Sequence, residues 1–327
     1  MSKKILLIGD PHFKNNNAKE SKEFTEKTLN FITSNKQKIS FVVILGDVLD
    51  THDKINIKPL CRATNFILDI SKISNVFVLV GNHDRANNGV FLSEEHSMIG
   101  LTETPRVKIV SSVCEYKDYL FVPYVSNGRF HEALKTIGYP KKYKAIFAHQ
   151  EFKGVKMGSV TSFCEEEWGK NEPPIYSGHI HDFQTPQENL TYIGTPYQLG
   201  YGDCSKKGIY FLDEDSMDLE RIDLGITKKR LVKLTLDQFK TFTPQRGVST
   251  KVVFEGDSKK IREILKEKPY KEKLSCVEYT IKHVPFKPLP KNSPIRVKSF
   301  ADIISQVLEK EDDLSKTIVK EIFTVKI

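Results

Sequence analysis

Five short stretches of the sequence close an apolar run with Asp, Asn or His: Asp10-Pro11-His12, Gly46-Asp47, Gly81-Asn82-His83-Asp84, His149 and Gly178-His179-Ile180-His181. Imidazole nitrogens with carboxylate and amide oxygens suit divalent Mn, Fe and Zn, and no thiolate is needed. Asp10 and His12 lie two apart, as do His179 and His181, so an extended backbone would turn both members of each pair to one side. Asp47 has two carboxylate oxygens and can bridge two ions. Seven candidate ligands then divide around it. Asp10, His12, Asp47 and His181 would hold one ion; Asp47, Asn82, His149 and His179 would hold the other. Two ions about 3.5–4 Å apart activate a water and stabilise the leaving oxygen of an in-line displacement at phosphorus. His83 is left without an ion. Beside Asn82 it is placed to protonate the leaving oxygen or stabilise the charged phosphorane, with Asp84 to orient it. Singly these signals are weak, because a lone His149 is more often structural and Gly-Asp is a common turn. Their order, each at a strand end, carries the reading. Asp50 and His52 follow Asp47 closely enough to touch a substrate, whereas His96, His131 and His283 read as surface residues.

The elements that must position these residues are legible as short apolar runs. Lys4–Gly9, Phe41–Leu45, Val76–Val80, Tyr119–Val122 and Ala145–His149 read as strands, with helices over Ser21–Ser34 and Pro59–Asp69. This βαβαβ order predicts parallel strands whose carboxyl ends gather at one edge, where ligands bind. Later strands, at Ile175–Tyr176, Leu190–Ile193, Ile209–Leu212 and Leu219–Ile222, are closer together, as in a meander or second sheet. A layered α/β sandwich accommodates both halves. A second unit starts near Lys228, with strands at Arg230–Leu234, Lys251–Phe254 and Val277–Lys282. Between them a helix over Ser258–Lys268 is capped by Asp257 or Ser258 and stopped by Pro269. Pro285, Pro288, Pro290 and Pro294 mark an extended linker. Beyond Ser299, Phe300, Ile303, Ile304, Val307 and Leu308 fall at helical spacing, as do Leu314, Ile318, Ile322 and Phe323.

The chain has 327 residues, 39% of them hydrophobic, enough for a sizeable core. Its net charge of +8 is uneven. Lys228–Lys298 holds 19 basic and 7 acidic residues, while residues 1–227 hold 27 and 29. A basic segment on a near-neutral body suggests a surface for a polyanion, against the blander reading of a solvated lysine-rich face. The five cysteines occur singly, as reduced thiols would. No apolar run approaches the roughly 18 residues that span a membrane. The start reads as a first strand, not a signal peptide, so an intracellular protein is expected, in cytoplasm or nucleus or encoded by a virus, and not secreted.

The ordered set D-x-H, GD, GNHD, H and GHxH over roughly residues 1–225 resembles the calcineurin-like metallophosphoesterase superfamily. Gly46-Asp47-Val48-Leu49-Asp50-Thr51 resembles the GDxFDT stretch of SbcD-type DNA nucleases, with Leu49 for the usual Phe. Tyr192-Ile193-Gly194-Thr195-Pro196-Tyr197-Gln198, then Gly202-Asp203, is similar to the segment that follows GHxH in that family, in the short form of large phages and viruses. The resemblance implies an α/β/β/α sandwich over residues 1–227, a basic DNA-capping α/β domain over 228–284, a Pro-rich linker over 285–298 and a helical tail over 299–327. That tail would dock on an SbcC-type coiled-coil ATPase. It also implies two divalent ions, with Mn2+ expected, and cleavage of DNA as a double-strand exonuclease and single-strand endonuclease in recombination or break repair. A homodimer is an option; a membrane partner is not expected. Some members carry a histidine three residues after the bridging Asp; here that position is Asp50. The alternatives are a phosphatase or cyclic-nucleotide phosphodiesterase on the same fold, and a non-catalytic scaffold, which would be expected to have lost ligands.

Overall fold

The computed structural model describes residues 2–52, 54–138, 143–158 and 160–283. The expected linker and helical tail lie outside them. The chain opens with β1 (Lys4–Ile8), α1 (Ala18–Asn35), β2 (Ile39–Ile44), α2 (Ile57–Ser71), β3 (Val76–Leu79) and β4 (Val107–Val110). A second run follows: β5 (Cys114–Tyr116), β6 (Tyr119–Val122), α3 (Phe130–Lys135), β7 (Ala145–Ala148), a short hairpin of β8 (Lys156–Met157) and β9 (Val160–Thr161), then β10 (Ile175–Ser177), β11 (Gln184–Gln187) and β12 (Leu190–Tyr192). β13 (Ile209–Asp213) and β14 (Leu219–Ile222) return to the first sheet.

Two six-stranded sheets result, ordered β14-β13-β1-β2-β3-β4 and β11-β12-β10-β7-β6-β5. In each, four neighbouring strands run parallel; β13 and β14 extend one edge of the first sheet through antiparallel pairings, and β11 and β5 flank both edges of the second. The parallel strands are apolar on both faces because each face is covered. Along β2, Phe41 and Val43 point between the sheets, where they meet Phe121 and Phe147 of β6 and β7. Val42 and Ile44 point outward to Phe24 and Ile32 of α1 and Phe66, Ile67 and Ile70 of α2. Of the five buried positions of α1, those at 21, 24, 28 and 32 follow the helical period and form one stripe, with Glu20 beside them. The outer face of the second sheet packs on α3 and on Phe152, Val155 and Trp168 from the irregular chain beyond β7. The layers are therefore those of a mixed α/β sandwich, as the sequence predicts.

A third sheet joins β15 (Lys228–Leu234), β16 (Val248–Gly256) and β17 (Glu278–His283) in that order, with β15 and β16 parallel. α4 (Leu236–Thr241), α5 (Ser258–Ile264) and α6 (Lys268–Leu274) accompany it. Phe239, Val252, Phe254, Ile261, Leu265 and Tyr270 form its own core. The helix expected over Ser258–Lys268 ends earlier, at Ile264. Asp257 caps it, accepting from the Lys259 and Lys260 amides at 2.9 and 3.3 Å. Pro269 opens α6 in place of stopping α5, because the first turn of a helix has no use for the missing N–H.

Candidate metal centre

The five stretches meet where the parallel strands of both sheets end. Asp10 and His12 follow β1, Asp47 follows β2, Asn82 and His83 follow β3, His149 follows β7, and His179 and His181 follow β10. Asp10, His12, Asp47 and His149 are almost wholly buried. His12 Nε2 lies 3.6 Å from Asp47 Oδ2 and 3.0 Å from His181 Nε2. On the other side, His149 Nε2 lies 3.3 Å from Asp47 Oδ1 and 3.0 Å from Asn82 Oδ1. His179 Nδ1 approaches the same Asn82 oxygen at 2.8 Å. Two clusters of ligand atoms emerge, Asp10–His12–Asp47 and Asp47–His149–His179, and Asp47 belongs to both.

The pairs two residues apart do not work through an extended backbone. His12, Asp47 and His179 all have left-handed φ, at 43°, 47° and 77°, which few non-glycine residues tolerate. Turns, not strand alternation, aim these side chains, so His179 and His181 face opposite ends of the centre. The strain is held by neighbours, as at many functional sites. The His12 amide donates to the Asp47 carbonyl at 3.0 Å, the His179 amide to Asp10 Oδ1 at 2.8 Å, and the His83 amide to Asp47 Oδ1 at 2.8 Å. Gly46 and Gly178 leave room for the centre: a Cβ on either would lie 2.4 Å from an existing atom, His149 Nδ1 and the Leu45 carbonyl respectively.

This donor set fits divalent cations. Asp10 Oδ2 is buried and has no hydrogen-bond partner. His149 Nδ1 donates to the Leu45 carbonyl at 2.6 Å, which fixes the tautomer and turns the Nε2 lone pair toward the acceptors Asp47 and Asn82. Such converging lone pairs need a positive charge between them. In the ion-free protein a proton supplies it. Burial alone would push the His149 pKa down, but the Asp47 and Asp10 carboxylates raise it to about 9. Burial likewise opposes the proton on His12, and Asp50, Asp47 and Asp10 outweigh it. Burial alone would raise the Asp47 carboxyl, yet the facing His149 holds it well below the usual carboxylate range.

His83 is brought to the centre without joining either cluster. Its Nδ1 lies 3.1 Å from the Asp50 carbonyl, its ring stands edge-on to His12 at 5.1 Å, and His52 stacks on its outer face at 4.5 Å. Asp84 does not orient it. The Asp84 carboxylate turns the other way and accepts from the Val48, Leu49 and Gly81 amides at 3.2, 3.0 and 3.1 Å, bracing the turns that carry Asp47 and Asn82. Asp50 faces His12 Nδ1 at 3.3 Å and Lys14 at 3.1 Å, and so sits behind a candidate ligand. His96 is buried, contrary to the surface expectation, and its Nδ1 accepts from the Met98 amide. His131 is half-exposed and pairs with Glu166 at 2.6 Å.

Residues 3–183 match the family of calcineurin-like phosphoesterases. The chain belongs to that family. This calcineurin-like phosphoesterase is 38% identical over 280 residues to "Putative phosphoesterase 244L" of Invertebrate iridescent virus 6, covering 81% of this chain and 98% of that relative. It is 39% identical over 234 residues to "Putative phosphoesterase 078R" of Invertebrate iridescent virus 3, covering 69% of this chain and 67% of the other. Among solved structures it matches one titled "GAP50 the anchor in the inner membrane complex of Plasmodium" at 13% identity, over 70% of this chain and 90% of that one. The TM-score is 0.36. The family and the paired ligand clusters make the phosphoesterase a metal-dependent hydrolase of phosphate esters. No helix among the described residues is long and apolar enough to cross a membrane.

The sequence reading missed three supports of the phosphoesterase site. Glu151 Oε2 lies 3.7 Å from His179 Nε2. Tyr197 donates to the Pro11 carbonyl at 2.7 Å, and Asn17 Nδ2 reaches both Tyr197 Oη and the His12 carbonyl, at 3.0 and 2.8 Å. Glu151 carried no signal beyond standing two residues after His149. Tyr197 lay inside a motif that served only as a mark of resemblance.

Proposed function

We propose that this phosphoesterase is a Mn2+-dependent DNA nuclease that cuts phosphodiesters at the paired centre. The observation that carries the substrate is a bridge of two residues. Tyr197 supports the Asp10-Pro11-His12 turn, and the next residue, Gln198, is hydrogen-bonded to the Lys229 backbone of β15, accepting from its N–H at 2.8 Å and donating to its carbonyl at 3.1 Å. The basic third sheet is thereby tied to a ligand turn. Residues 228–283 hold 15 Lys and Arg against 7 Asp and Glu. Lys228, Arg230, Lys259, Lys260 and Lys266 among them are exposed. Such a surface fits a polyanionic backbone and reads no sequence. A small phosphate ester gives it no purpose.

Asp10, His12, Asp47 and His181 would hold one ion, and Asp47, Asn82, His149 and His179 the other. Bound there, the ions supply an activated water and charge neutralisation at phosphorus. The chain's own residues do the rest. The Leu45 carbonyl and Asp50 keep the lone pairs of His149 and His12 inward. His83 keeps Nδ1 on the Asp50 carbonyl and offers Nε2 to the substrate. Burial lowers its pKa against the pull of Asp47, and an anionic phosphodiester beside Nε2 would offset that and draw a proton to Nε2 from solvent water. That proton then passes to the leaving oxygen. Docking of an SbcC-type ATPase belongs to the same proposal and rests on the family resemblance.

The test is end-labelled duplex DNA and bis-p-nitrophenyl phosphate, each incubated with the protein and Mn2+. Shortened DNA products and weak turnover of the small ester support the nuclease. Turnover of the small ester with intact DNA favours the phosphatase or cyclic-nucleotide reading.

A further inference from the structure

Glu151 stands on the irregular chain that leaves β7, outside every motif of the sequence. Its Oε2 faces His179 Nε2 at 3.7 Å, while the other ring nitrogen, Nδ1, points into the centre at Asn82 Oδ1, 2.8 Å away. A neutral imidazole that ligates through one nitrogen carries its proton on the other. We infer that Glu151 is a positioning residue: it holds the His179 proton on Nε2 and so keeps the Nδ1 lone pair turned toward the second ion's place. The 3.7 Å gap exceeds a direct hydrogen bond, and a shift of roughly half an ångström closes it.

The surroundings leave Glu151 little else to do. Its side chain is only 12% exposed, and among the described residues its ionic partner is His179. The Ser162 hydroxyl donates to Oε1, which leaves Oε2 for the imidazole. Asn127 Nδ2 adds a weaker contact to Oε2 at 3.4 Å. Residues 161–168 alternate exposed and buried, so Ser162 is turned inward by the same pattern that buries Cys164, Glu166 and Trp168. His179 cannot correct itself through its backbone. Its φ is 77° and its amide is bound to Asp10 Oδ1. Tautomer and ring rotation are the freedoms left, and Glu151 removes both. Two other ligand imidazoles are braced in the same manner, His149 by the Leu45 carbonyl and His12 by Asp50. Outer partners of this kind are worth about 10–100-fold in metal affinity.

This inference rests on the two-ion reading of the centre. The experiment titrates Mn2+ calorimetrically into the wild type, Glu151→Ala and Glu151→Gln, and records visible spectra of the Co2+-loaded forms. The wild type should take up two ions. Glu151→Ala should keep one and bind the other about 10–100-fold more weakly, with an altered Co2+ spectrum. Glu151→Gln, whose amide oxygen can still accept from Nε2–H, should recover most of that loss. Equal binding of both ions and an unchanged spectrum in Glu151→Ala would overturn the inference. So would parallel loss of both ions in Ala and Gln, which marks a general structural role. If the wild type itself takes up fewer than two ions, the two-ion reading falls first and the inference with it.

Discussion

His149 shows how a single side chain ties charge, tautomer and function together. Held by the Leu45 carbonyl and facing Asp47, it carries a proton up to a pKa of about 9 in the ion-free protein. A cation needs the same lone pair, so metal uptake at pH 7 must expel that proton. Affinity should fall as the pH drops, about tenfold per unit for one released proton. Calorimetry in buffers of different ionisation enthalpy would count the protons, and no release would contradict the assignment. His83 makes a complementary test. His83→Ala should still bind the ions of the wild type while cleavage drops about 10²–10⁴-fold, the usual worth of a proton donor. Wild-type cleavage by that variant would remove His83 from the mechanism. The seven candidate ligands and His83, which the fold brings together, were legible because each follows an apolar run in a glycine- or histidine-marked motif. Glu151 and the role of Asp84 were not, because both depend on which way a carboxylate turns, and spacing does not encode that.

At the scale of elements, the turns after the strands matter more than the strands. The left-handed φ of His12, Asp47 and His179 is maintained by contacts from other elements. Gly46, with φ of 100° and His149 Nδ1 only 2.4 Å from where a Cβ would stand, admits no side chain. Gly46→Ala should therefore lower both thermal stability and metal binding. A variant with wild-type melting temperature and metal stoichiometry would show that this turn can shift. Tyr197→Phe is subtler. It deletes the bond to the Pro11 carbonyl at a cost of about 0.5–1.5 kcal/mol and should loosen His12. Unchanged metal affinity would detach that segment from the centre. The strands of the first half were readable because continuous apolar runs signal parallel strands covered on both faces. β4, β5, β11 and α3 escaped notice, being short and mixed in polarity. Pro269 was misjudged because proline can start a helix as well as end one.

For the molecule as a whole, two covered sheets supply a rigid edge and the third sheet supplies charge. Replacing exposed Lys259, Lys260 and Lys266 by Gln should weaken duplex DNA binding and make its salt dependence shallower, by nearly one unit of slope for each phosphate that is no longer neutralised. Turnover of a small phosphodiester should not change. An unaltered salt slope would place the DNA elsewhere. The charge asymmetry was visible in composition alone, but its attachment to the ligand turn through Gln198 was not, since that hydrogen bond joins residues far apart along the chain. The claim beneath all of these is that Asp47 is shared by two ions. Anomalous diffraction from Mn2+-soaked crystals tests it most directly. Two peaks about 3.5–4 Å apart with Asp47 between them are predicted. A single peak at full occupancy, or peaks that leave Asp47 uncoordinated, would contradict the account.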